Sequence, residues 1–285
     1  MRKPEWIRSS LPGFGEFKEV KKILKSLSLN TVCESALCPN LGKCWAEKSA
    51  TIMIMGDVCT RNCKFCSVRK GKPLPLDPEE PLKVAKAIKE LGIEYAVITS
   101  CTRDDIRDFG ANHFYETVKK IKELNENVKV EILIPDFNLD INCLKKVVES
   151  NPDVISHNVE TVERLTPFVR DKRAGYRKSI LVLKKIKEIN QKIITKSGIM
   201  IGLGETKEEI IKTMEDIKEA GCEIITIGQY LRPTMKNLPV QKYYSPSEFK
   251  EFEKIGYDIG FKCVLSGVFV RSSYNAKEAY LKSIS

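Results

Sequence analysis

Apolar positions along the chain follow two alternating periodicities. From residue 51 onward, short β-rich runs bounded by turn residues predict strands, and between them apolar residues recur at the spacing of one helix face. The predicted strands cover residues 51–55, 95–99, 129–134, 154–156, 193–201 and 223–227. The helical runs contain Leu82, Ala85, Ile88 and Leu91; Phe114, Val118, Ile121 and Leu124; Val182, Leu183, Ile186 and Ile189; and Ile210, Met214 and Ile217.

This repeated βα rhythm predicts an α/β fold with a parallel sheet. About six units, with no dinucleotide-binding fingerprint after the first strand, favour a partial (β/α)6 TIM-like barrel over a doubly wound sheet. Functional groups then belong on the loops that follow the carboxyl ends of the strands. We expect an N-terminal extension over residues 1–50, the barrel over 51–262 and a C-terminal extension over 263–285.

Composition narrows the class of protein. Hydrophobic residues make up 42% and charged residues 30% of the 285 positions, which excludes disordered, collagen-like and low-complexity chains. No apolar run reaches the roughly 18 residues of a membrane span, and the first residues do not lead into the apolar segment of a signal peptide. We therefore expect a soluble cytoplasmic protein whose cysteines are reduced.

The charge balance is basic but dispersed. Lys and Arg number 48 against 38 Asp and Glu, so the net charge is +10 and favours acidic partners. The basic residues are interleaved with glutamates in nearly every helical run, and no basic block or aromatic-basic nucleic-acid signature stands out. We expect neither a nucleic acid nor a membrane as partner.

The ten cysteines fall into two groups. Six are concentrated within 34 positions, and this concentration predicts a metal or cluster site, whereas Cys143, Cys222 and Cys263 are expected to pack in the core. Cys59, Cys63 and Cys66 follow the first predicted strand with the spacing Cys-x3-Cys-x2-Cys. Three thiolates on one loop can bind three corners of a 4Fe–4S cube and leave one iron open, whereas structural zinc needs a fourth ligand at compact spacing.

The position of this triplet after the first barrel strand, with Phe65 directly before Cys66, resembles the radical S-adenosylmethionine (SAM) superfamily. In that family the open iron binds the amino and carboxylate groups of SAM. An electron from the cluster cleaves SAM to methionine and a 5′-deoxyadenosyl radical, which abstracts an unactivated hydrogen atom. The resemblance implies that Phe65 lies beside the cofactor.

Other cofactor contacts are expected at strand ends. Asn158 and Glu160 follow a predicted barrel strand and are expected to contact SAM, with an ion pair between Glu160 and Arg164 as the alternative. Arg170 and Arg173 either bind the SAM carboxylate or face solvent. His157 is expected to be a satisfied structural histidine. The glycines of Gly-Leu-Gly-Glu at 202–205 let the main chain approach SAM, and Cys101 is a candidate neighbour of SAM without being a ligand.

A second triplet, Cys33, Cys38 and Cys44, has the spacing Cys-x4-Cys-x5-Cys and implies a second cluster. Together with Arg-Ser-Ser-Tyr at 271–274, it closely resembles the lipoyl synthase family. The likeness also includes Lys-Pro-Glu-Trp at 3–6, Ser-Cys-Thr-Arg-Asp-Asp at 100–105, His-Asn-Val-Glu-Thr at 157–161 and Arg-Asp-Lys-Arg-Ala-Gly-Tyr at 170–176.

This resemblance implies that the second 4Fe–4S cluster donates sulfur and that Ser273 is its fourth ligand. A serine oxygen is a harder and poorer ligand for such iron than a thiolate, so the iron held by Ser273 is the easiest to release. In the family, two sulfur atoms are inserted at C6 and C8 of an octanoyl group on a lysine of a carrier domain or peptide. The carriers are the E2 subunit of a 2-oxoacid dehydrogenase and the H protein of glycine cleavage, and ferredoxin or flavodoxin is the expected reductant.

Three alternative functions compete with this interpretation. A radical SAM enzyme of biotin-synthase type lacks the N-terminal triplet combined with the C-terminal Ser-Ser. A two-cluster electron carrier needs only a small scaffold and no barrel-like body. Zinc binding without catalysis is separated from the rest by analysis of iron and acid-labile sulfide, because two cubes imply about eight irons per chain.

Overall fold

The computed structural model describes residues 3–7, 15–47 and 49–285. By contact density the chain forms two compact units. The N-terminal unit comprises Ser9–Asn62 and Ser67–Asp153, and the C-terminal unit comprises Met1–Arg8, Cys63–Cys66 and Val154–Ser285. This division separates packed bodies and does not test the functional boundaries expected at residues 50 and 262, which stay a prediction.

The N-terminal unit carries a parallel sheet built from three buried strands. Strand β2 pairs with β5 and β5 with β6, all parallel, and the short β1 adds to β2 in the antiparallel sense. Strands β3 and β4 form a separate two-residue pair. The strands are β1 (Asn30–Thr31), β2 (Thr51–Ile54), β3 (Val58–Cys59), β4 (Arg69–Lys70), β5 (Tyr95–Ser100) and β6 (Lys129–Leu133).

Helices of this unit bury their apolar stripes. On α4 the buried residues include Val84, Ile88 and Leu91, at the spacing of one helix face, and Gly92 ends the helix in the left-handed region at φ 64°. The Asp140 side chain accepts the first main-chain N–H groups of α6. The helices are α1 (Gly15–Ser26), α2 (Val32–Ser35), α3 (Leu41–Ala46), α4 (Glu80–Leu91), α5 (Ala111–Leu124) and α6 (Ile141–Glu149).

The C-terminal unit carries four parallel strands in the order β7-β8-β9-β10. Its core includes Phe249, Phe252 and Tyr244, and capping boxes at Thr206 and Ser245 start α9 and α10. The strands are β7 (Val154–Ser156), β8 (Ile194–Ile201), β9 (Ile224–Gln229) and β10 (Cys263–Gly267). The helices are α7 (Thr166–Val169), α8 (Tyr176–Ile189), α9 (Lys207–Glu219), α10 (Pro246–Ile259) and α11 (Ala276–Ile284).

The predicted α/β class is confirmed, and all six predicted strands are present with small differences at their ends. Strand β10 was not predicted, because its run of five residues includes Ser266 and leads into an irregular segment. Strands β1, β3 and β4 are each two residues long, which is too short to show any periodicity. None of the helices in the described part of the chain has the length and apolar character needed to span a bilayer.

Candidate cluster and cofactor sites

The segment Cys63–Cys66 is held by two loops of the C-terminal unit. After β7, the main-chain N–H of Asp171 donates to Cys63 Sγ at 3.3 Å, and Lys64 N–H donates to the carbonyl of Val169 at 2.9 Å. After β9, the Asn237 amide nitrogen donates to the carbonyls of Lys64 and Cys66 at 3.2 and 3.1 Å. The Cys63 sulfur thus has a main-chain donor, as cluster thiolates commonly do.

Cys59 lies at the end of β3 in the N-terminal unit, and its Sγ accepts the Arg61 N–H at 3.4 Å. The buried Arg61 guanidinium forms a fork with two carboxylates, at 2.8 Å from Asp104 Oδ1 and 2.6 Å from Asp136 Oδ2. Burial alone lowers the pKa of Arg61, but the hydrogen bonds with Asp136 and Asp104 outweigh it and raise that pKa above its ordinary range. The turn after Cys59 is therefore anchored by a buried ion cluster.

Sequence reasoning missed this ion cluster. Asp104 belongs to the motif at residues 100–105, whereas none of the motifs described above assigns a role to Arg61 or Asp136. The available indication was an arginine inside a cysteine loop together with aspartates just after two predicted parallel strands, whose carboxyl ends share one edge of the sheet.

The second triplet lies around α2 and α3 of the N-terminal unit. Cys38 N–H donates to the carbonyl of Cys33 at 3.0 Å, and Cys44 N–H donates to the carbonyl of Asn40 at 2.9 Å. Burial raises the pKa of Cys44 to about 12, and the neighbouring Cys33 and Cys38 thiolates add to this effect. Burial also raises the pKa of Cys33. The structure therefore brings these three thiols within electrostatic reach of one another.

The arrangement fits a cluster. In the described ranges no three His, Cys, Asp or Glu side chains converge on a point that would bind one metal ion. A cube does not require that, because each thiolate binds a different iron. The Trp45 indole N–H is fully buried without a hydrogen-bond acceptor among the described residues, yet it lies close enough to Cys33 to lower the pKa of that thiol. A buried donor beside the Cys33 thiol fits a site where cluster sulfur accepts it.

Ser273 belongs to the C-terminal unit, in the turn between β10 and α11. The turn is closed by Tyr274 N–H donating to the carbonyl of Arg271 at 2.9 Å, and Asn275 at φ 48° starts the helix. Ser273 itself is half-buried. Ligation of the second cluster by Ser273 stays a prediction.

Asn158 and Glu160 are brought together after β7. Glu160 lies in the left-handed region at φ 73°, and its main chain bridges to β8 through bonds to Gly198 and Met200 of 3.0 and 2.8 Å. Burial raises the pKa of Glu160, against the Arg170 cation and a hydrogen bond from Asn158, which lower it. Asn158 Oδ1 is buried and has no hydrogen-bond partner in the described part of the chain. Backbone strain beside an unsatisfied buried acceptor fits a polar ligand site.

Gly198 supplies the space for this arrangement. A Cβ at Gly198 would lie 2.9 Å from Asn158 Oδ1 and 2.6 Å from Thr226 Oγ1. At Gly202, φ is +113° and a Cβ would collide with the Gln229 amide nitrogen, so the close approach there is to protein. Whether the 202–205 main chain also approaches SAM stays a prediction.

Two alternatives for the charged residues are wrong. Arg164 pairs with Glu209 at 2.6 Å instead of with Glu160, because residues 160–162 are not helical and Arg164 lies in the short 3-10 turn Glu163–Leu165. Arg170 does not face solvent: it is 8% exposed and donates to the Val159 carbonyl at 3.1 Å.

The remaining candidates are accounted for locally. His157 is satisfied by the Ser179 hydroxyl at 2.9 Å, as expected. Arg173 binds Asp171 at 2.9 Å. Phe65 is half-buried and packs against the C-terminal core, and its contact with SAM stays a prediction.

The scattered cysteines are buried, as expected for core residues: Cys143 is 5% exposed, and Cys222 and Cys263 are fully buried. Cys101 is also buried, with its Sγ 3.8 Å from Met53 Sδ. All ten cysteines lie in the described part of the chain, and all are free thiols.

These sites and the parallel βα units define a class of enzyme. The sequence model of the radical SAM superfamily matches residues 53–217, so this chain is a radical SAM protein. Two solved structures share the fold. HydG from Carboxydothermus hydrogenoformans aligns with a TM-score of 0.61 at 15% identity over 93% of this chain and 68% of that one. Methylornithine synthase aligns with a TM-score of 0.57 at 16% identity over 76% of this chain and 70% of that one.

Relatives that match nearly the whole chain identify the family within this class of enzyme. Lipoyl synthase from Caldicellulosiruptor saccharolyticus is 52% identical, with 97% of each chain covered. The Thermus thermophilus lipoyl synthase is 49% identical over 99% of this chain and 87% of that one, and the mitochondrial lipoyl synthase of Drosophila pseudoobscura pseudoobscura is 49% identical over 100% and 78%. The chain belongs to the lipoyl synthase family and is a sulfur-inserting radical SAM enzyme.

Proposed function

We propose that the chain inserts sulfur at C6 and C8 of an octanoyl-lysine on a lipoyl carrier domain, using two 4Fe–4S clusters with separate tasks. The observation that carries the proposal is the presence of two independent cysteine triplets in a chain about half identical to lipoyl synthases over nearly its whole length. One triplet alone would hold the radical-generating cluster and leave no second cluster to donate sulfur.

Cys59, Cys63 and Cys66 hold the radical-generating cluster, and Cys33, Cys38, Cys44 and Ser273 hold the donor cluster. When bound, the first cluster supplies the electron that cleaves SAM, and the second supplies sulfide to the substrate carbon. The chain orients the thiolates by main-chain N–H donors, at 3.4 Å for Cys59 and 3.3 Å for Cys63. Ser273 leaves one iron weakly held, because its oxygen is the hardest ligand of that set.

Asn158 and Glu160 bind SAM in this proposal. The free acceptor of Asn158 and the carboxylate of Glu160 face polar groups of the cofactor such as its hydroxyls and ammonium. Phe65 adds an apolar contact. Each hydrogen taken from the octanoyl chain ends on one 5′-deoxyadenosine, so two SAM molecules and two electrons are consumed for two sulfurs.

The partners follow from this reaction. The substrate is the octanoylated E2 subunit of a 2-oxoacid dehydrogenase or the glycine cleavage H protein, and a net charge of +10 favours an acidic domain. A low-potential carrier such as ferredoxin or flavodoxin supplies the electrons. Ten free thiols suit a reducing compartment, and we propose the cytoplasm.

The direct test is mass spectrometry of an octanoyl-lysine peptide incubated anaerobically with the reconstituted protein, SAM and dithionite. The expected product carries two added sulfur atoms, with 5′-deoxyadenosine formed alongside. An octanoyl peptide recovered unchanged, with full cluster content and active SAM cleavage, would contradict the proposed substrate. Iron and acid-labile sulfide near eight each per chain would exclude zinc binding as the function.

A further inference from the structure

Asn237, in the loop after β9, bonds directly to the cysteine segment of its own unit. Its side chain is buried, with 6% exposure. The amide nitrogen donates to the carbonyls of Lys64 and Cys66, at 3.2 and 3.1 Å. These two carbonyls flank Phe65, so one side chain fixes the main chain between Cys63 and Cys66.

The orientation of this amide is fixed from its other end. Asn237 Oδ1 accepts the Thr234 N–H at 3.2 Å and the Thr234 hydroxyl at 2.7 Å. Both are donors, so the oxygen must face Thr234 and the nitrogen must face the cysteine segment. Neither role can be exchanged by flipping the amide.

The loop that presents Asn237 is itself braced. Arg232 Nε donates to the Asn237 carbonyl at 2.8 Å, and the Tyr230 hydroxyl donates to the Leu238 carbonyl at 2.8 Å. Leu238 N–H adds a further bond of 3.3 Å to the Lys64 carbonyl. The contact is therefore made by a preorganised loop, which loses little conformational entropy in holding the segment.

We propose that Asn237 is a positioning residue for the SAM-binding cluster, which holds the main chain between Cys63 and Cys66 so that their thiolates keep the geometry that SAM requires. This inference rests on the proposed ligand set. Removing the amide leaves the Lys64 and Cys66 carbonyls without this donor, and such outer contacts orient the ligands of metal sites. No motif or spacing in the sequence indicated this contact.

The test compares Asn237→Asp with Thr234→Val and a matched control. Asn237→Asp keeps the shape but places a carboxylate against two carbonyl oxygens. Thr234→Val removes only the hydroxyl that orients the amide. Asn142→Asp makes the same chemical change at an exposed position in the first turn of α6, where a carboxylate is tolerated. Each variant is reconstituted anaerobically as holoenzyme and checked by thermal unfolding.

The readouts are the midpoint potential and the electron paramagnetic resonance signal of the reduced protein with and without SAM. The response to SAM distinguishes the open-iron cluster from the second one. We expect Asn237→Asp to lower the midpoint potential, lose the SAM-dependent change and slow 5′-deoxyadenosine formation roughly tenfold. Thr234→Val has a smaller effect in the same direction, and Asn142→Asp matches the wild type.

A folded Asn237→Asp variant with wild-type potential and SAM response would overturn the inference. If that variant does not fold, the Thr234→Val variant is the test. An unchanged SAM response in Thr234→Val would likewise overturn the inference. Failure of the wild type to bind a cluster through Cys63 and Cys66 would contradict the ligand assignment itself. If the wild type binds this cluster and the variants at residues 234 and 237 keep the wild-type potential and SAM response, only the positioning role is contradicted.

Discussion

The main-chain N–H of Asp171 donates to Cys63 Sγ at 3.3 Å, although the two residues are 108 positions apart in the chain. The Asp171 carboxylate accepts from Arg173 Nε at 2.9 Å and from the Arg173 N–H at 3.0 Å, which fixes the turn that presents this donor. A hydrogen bond to a cluster thiolate favours the reduced, more negative state of the cluster. Under the proposed ligand assignment, the loop after β7 thus contributes to the properties of the Cys63 thiolate.

Replacing Cys59, Cys63 or Cys66 with Ala is expected to abolish both 5′-deoxyadenosine formation and sulfur insertion, with a loss of at least about 100-fold. The reason is that the radical-generating cube loses one of three ligands. Cys143→Ala is the matched control, because that thiol is buried in α6 and donates only to the Asp108 carbonyl. Reductive SAM cleavage by any of the three ligand variants at the level of the control would refute the assignment.

Arg61→Lys is expected to destabilise the N-terminal unit by roughly 2–4 kcal/mol, because a lysine cannot form the fork to Asp104 and Asp136 and leaves buried carboxylates incompletely paired. Urea unfolding of the cofactor-free protein measures the difference. Arg69→Lys is the control, since Arg69 is 70% exposed beside Asp57 and its ion pair is screened by solvent, so no resolvable change in stability is expected. Equal effects of the two substitutions would contradict the anchoring role of Arg61.

Local sequence periodicity was sufficient to predict most of the fold. The strands at 95–100 and 224–229 are continuous runs of β-formers between turns, and their predicted ends agree with the structure to within two residues. Strand β10 could not be predicted from local periodicity, because it depends on long-range pairing with β9. Val264 lies opposite Ile225, which is far away in the chain. A run of five residues that includes Ser266 becomes a strand because its neighbour provides the ladder.

Sequence alone could propose cluster ligands where chemistry follows from spacing, as for the two cysteine triplets, whose ligation stays a prediction. It was not predictable where a residue acts through a folded loop. Asn237 and Arg61 have no special spacing, and their roles arise from hydrogen bonds to main-chain or side-chain groups that only folding brings near. The alternative ion pair between Glu160 and Arg164 is wrong for a related reason, because spacing by four residues makes neighbours only in a continuous helix.

Glu160→Gln tests the electrostatics of the cofactor pocket by pH. Burial raises the pKa of Glu160 above its ordinary value of 4.5, so the folded protein holds this proton over a range where the unfolded chain has lost it. Wild-type stability must then fall as pH rises from about 4.5 through the raised pKa. We expect the melting temperature of cofactor-free Glu160→Gln to increase relative to that of the wild type as the pH rises over this range. A pH-independent difference between the two melting temperatures would argue against burial of the charge.

Ser273 substitutions test the weakly held iron. Ser273→Ala is expected to keep most of the second cluster, because three thiolates remain, but to lose sulfur insertion. Ser273→Cys is expected to bind iron firmly and slow insertion, because a thiolate releases iron less readily than a serine oxygen. Iron content and thiolated product are measured on both variants, with Ser272→Ala as the neighbouring control. Insertion by Ser273→Ala at the wild-type rate would remove the serine from the mechanism.

The division of labour between the two triplets is tested most directly by the Cys33→Ala, Cys38→Ala, Cys44→Ala triple variant. After anaerobic reconstitution, its iron content, 5′-deoxyadenosine and sulfur-containing peptide are measured together. We expect about four irons per chain, the content of one cube, with 5′-deoxyadenosine still formed and no carbon–sulfur bond. Sulfur insertion by this variant would contradict the assignment of the N-terminal cysteines as ligands of the sulfur donor.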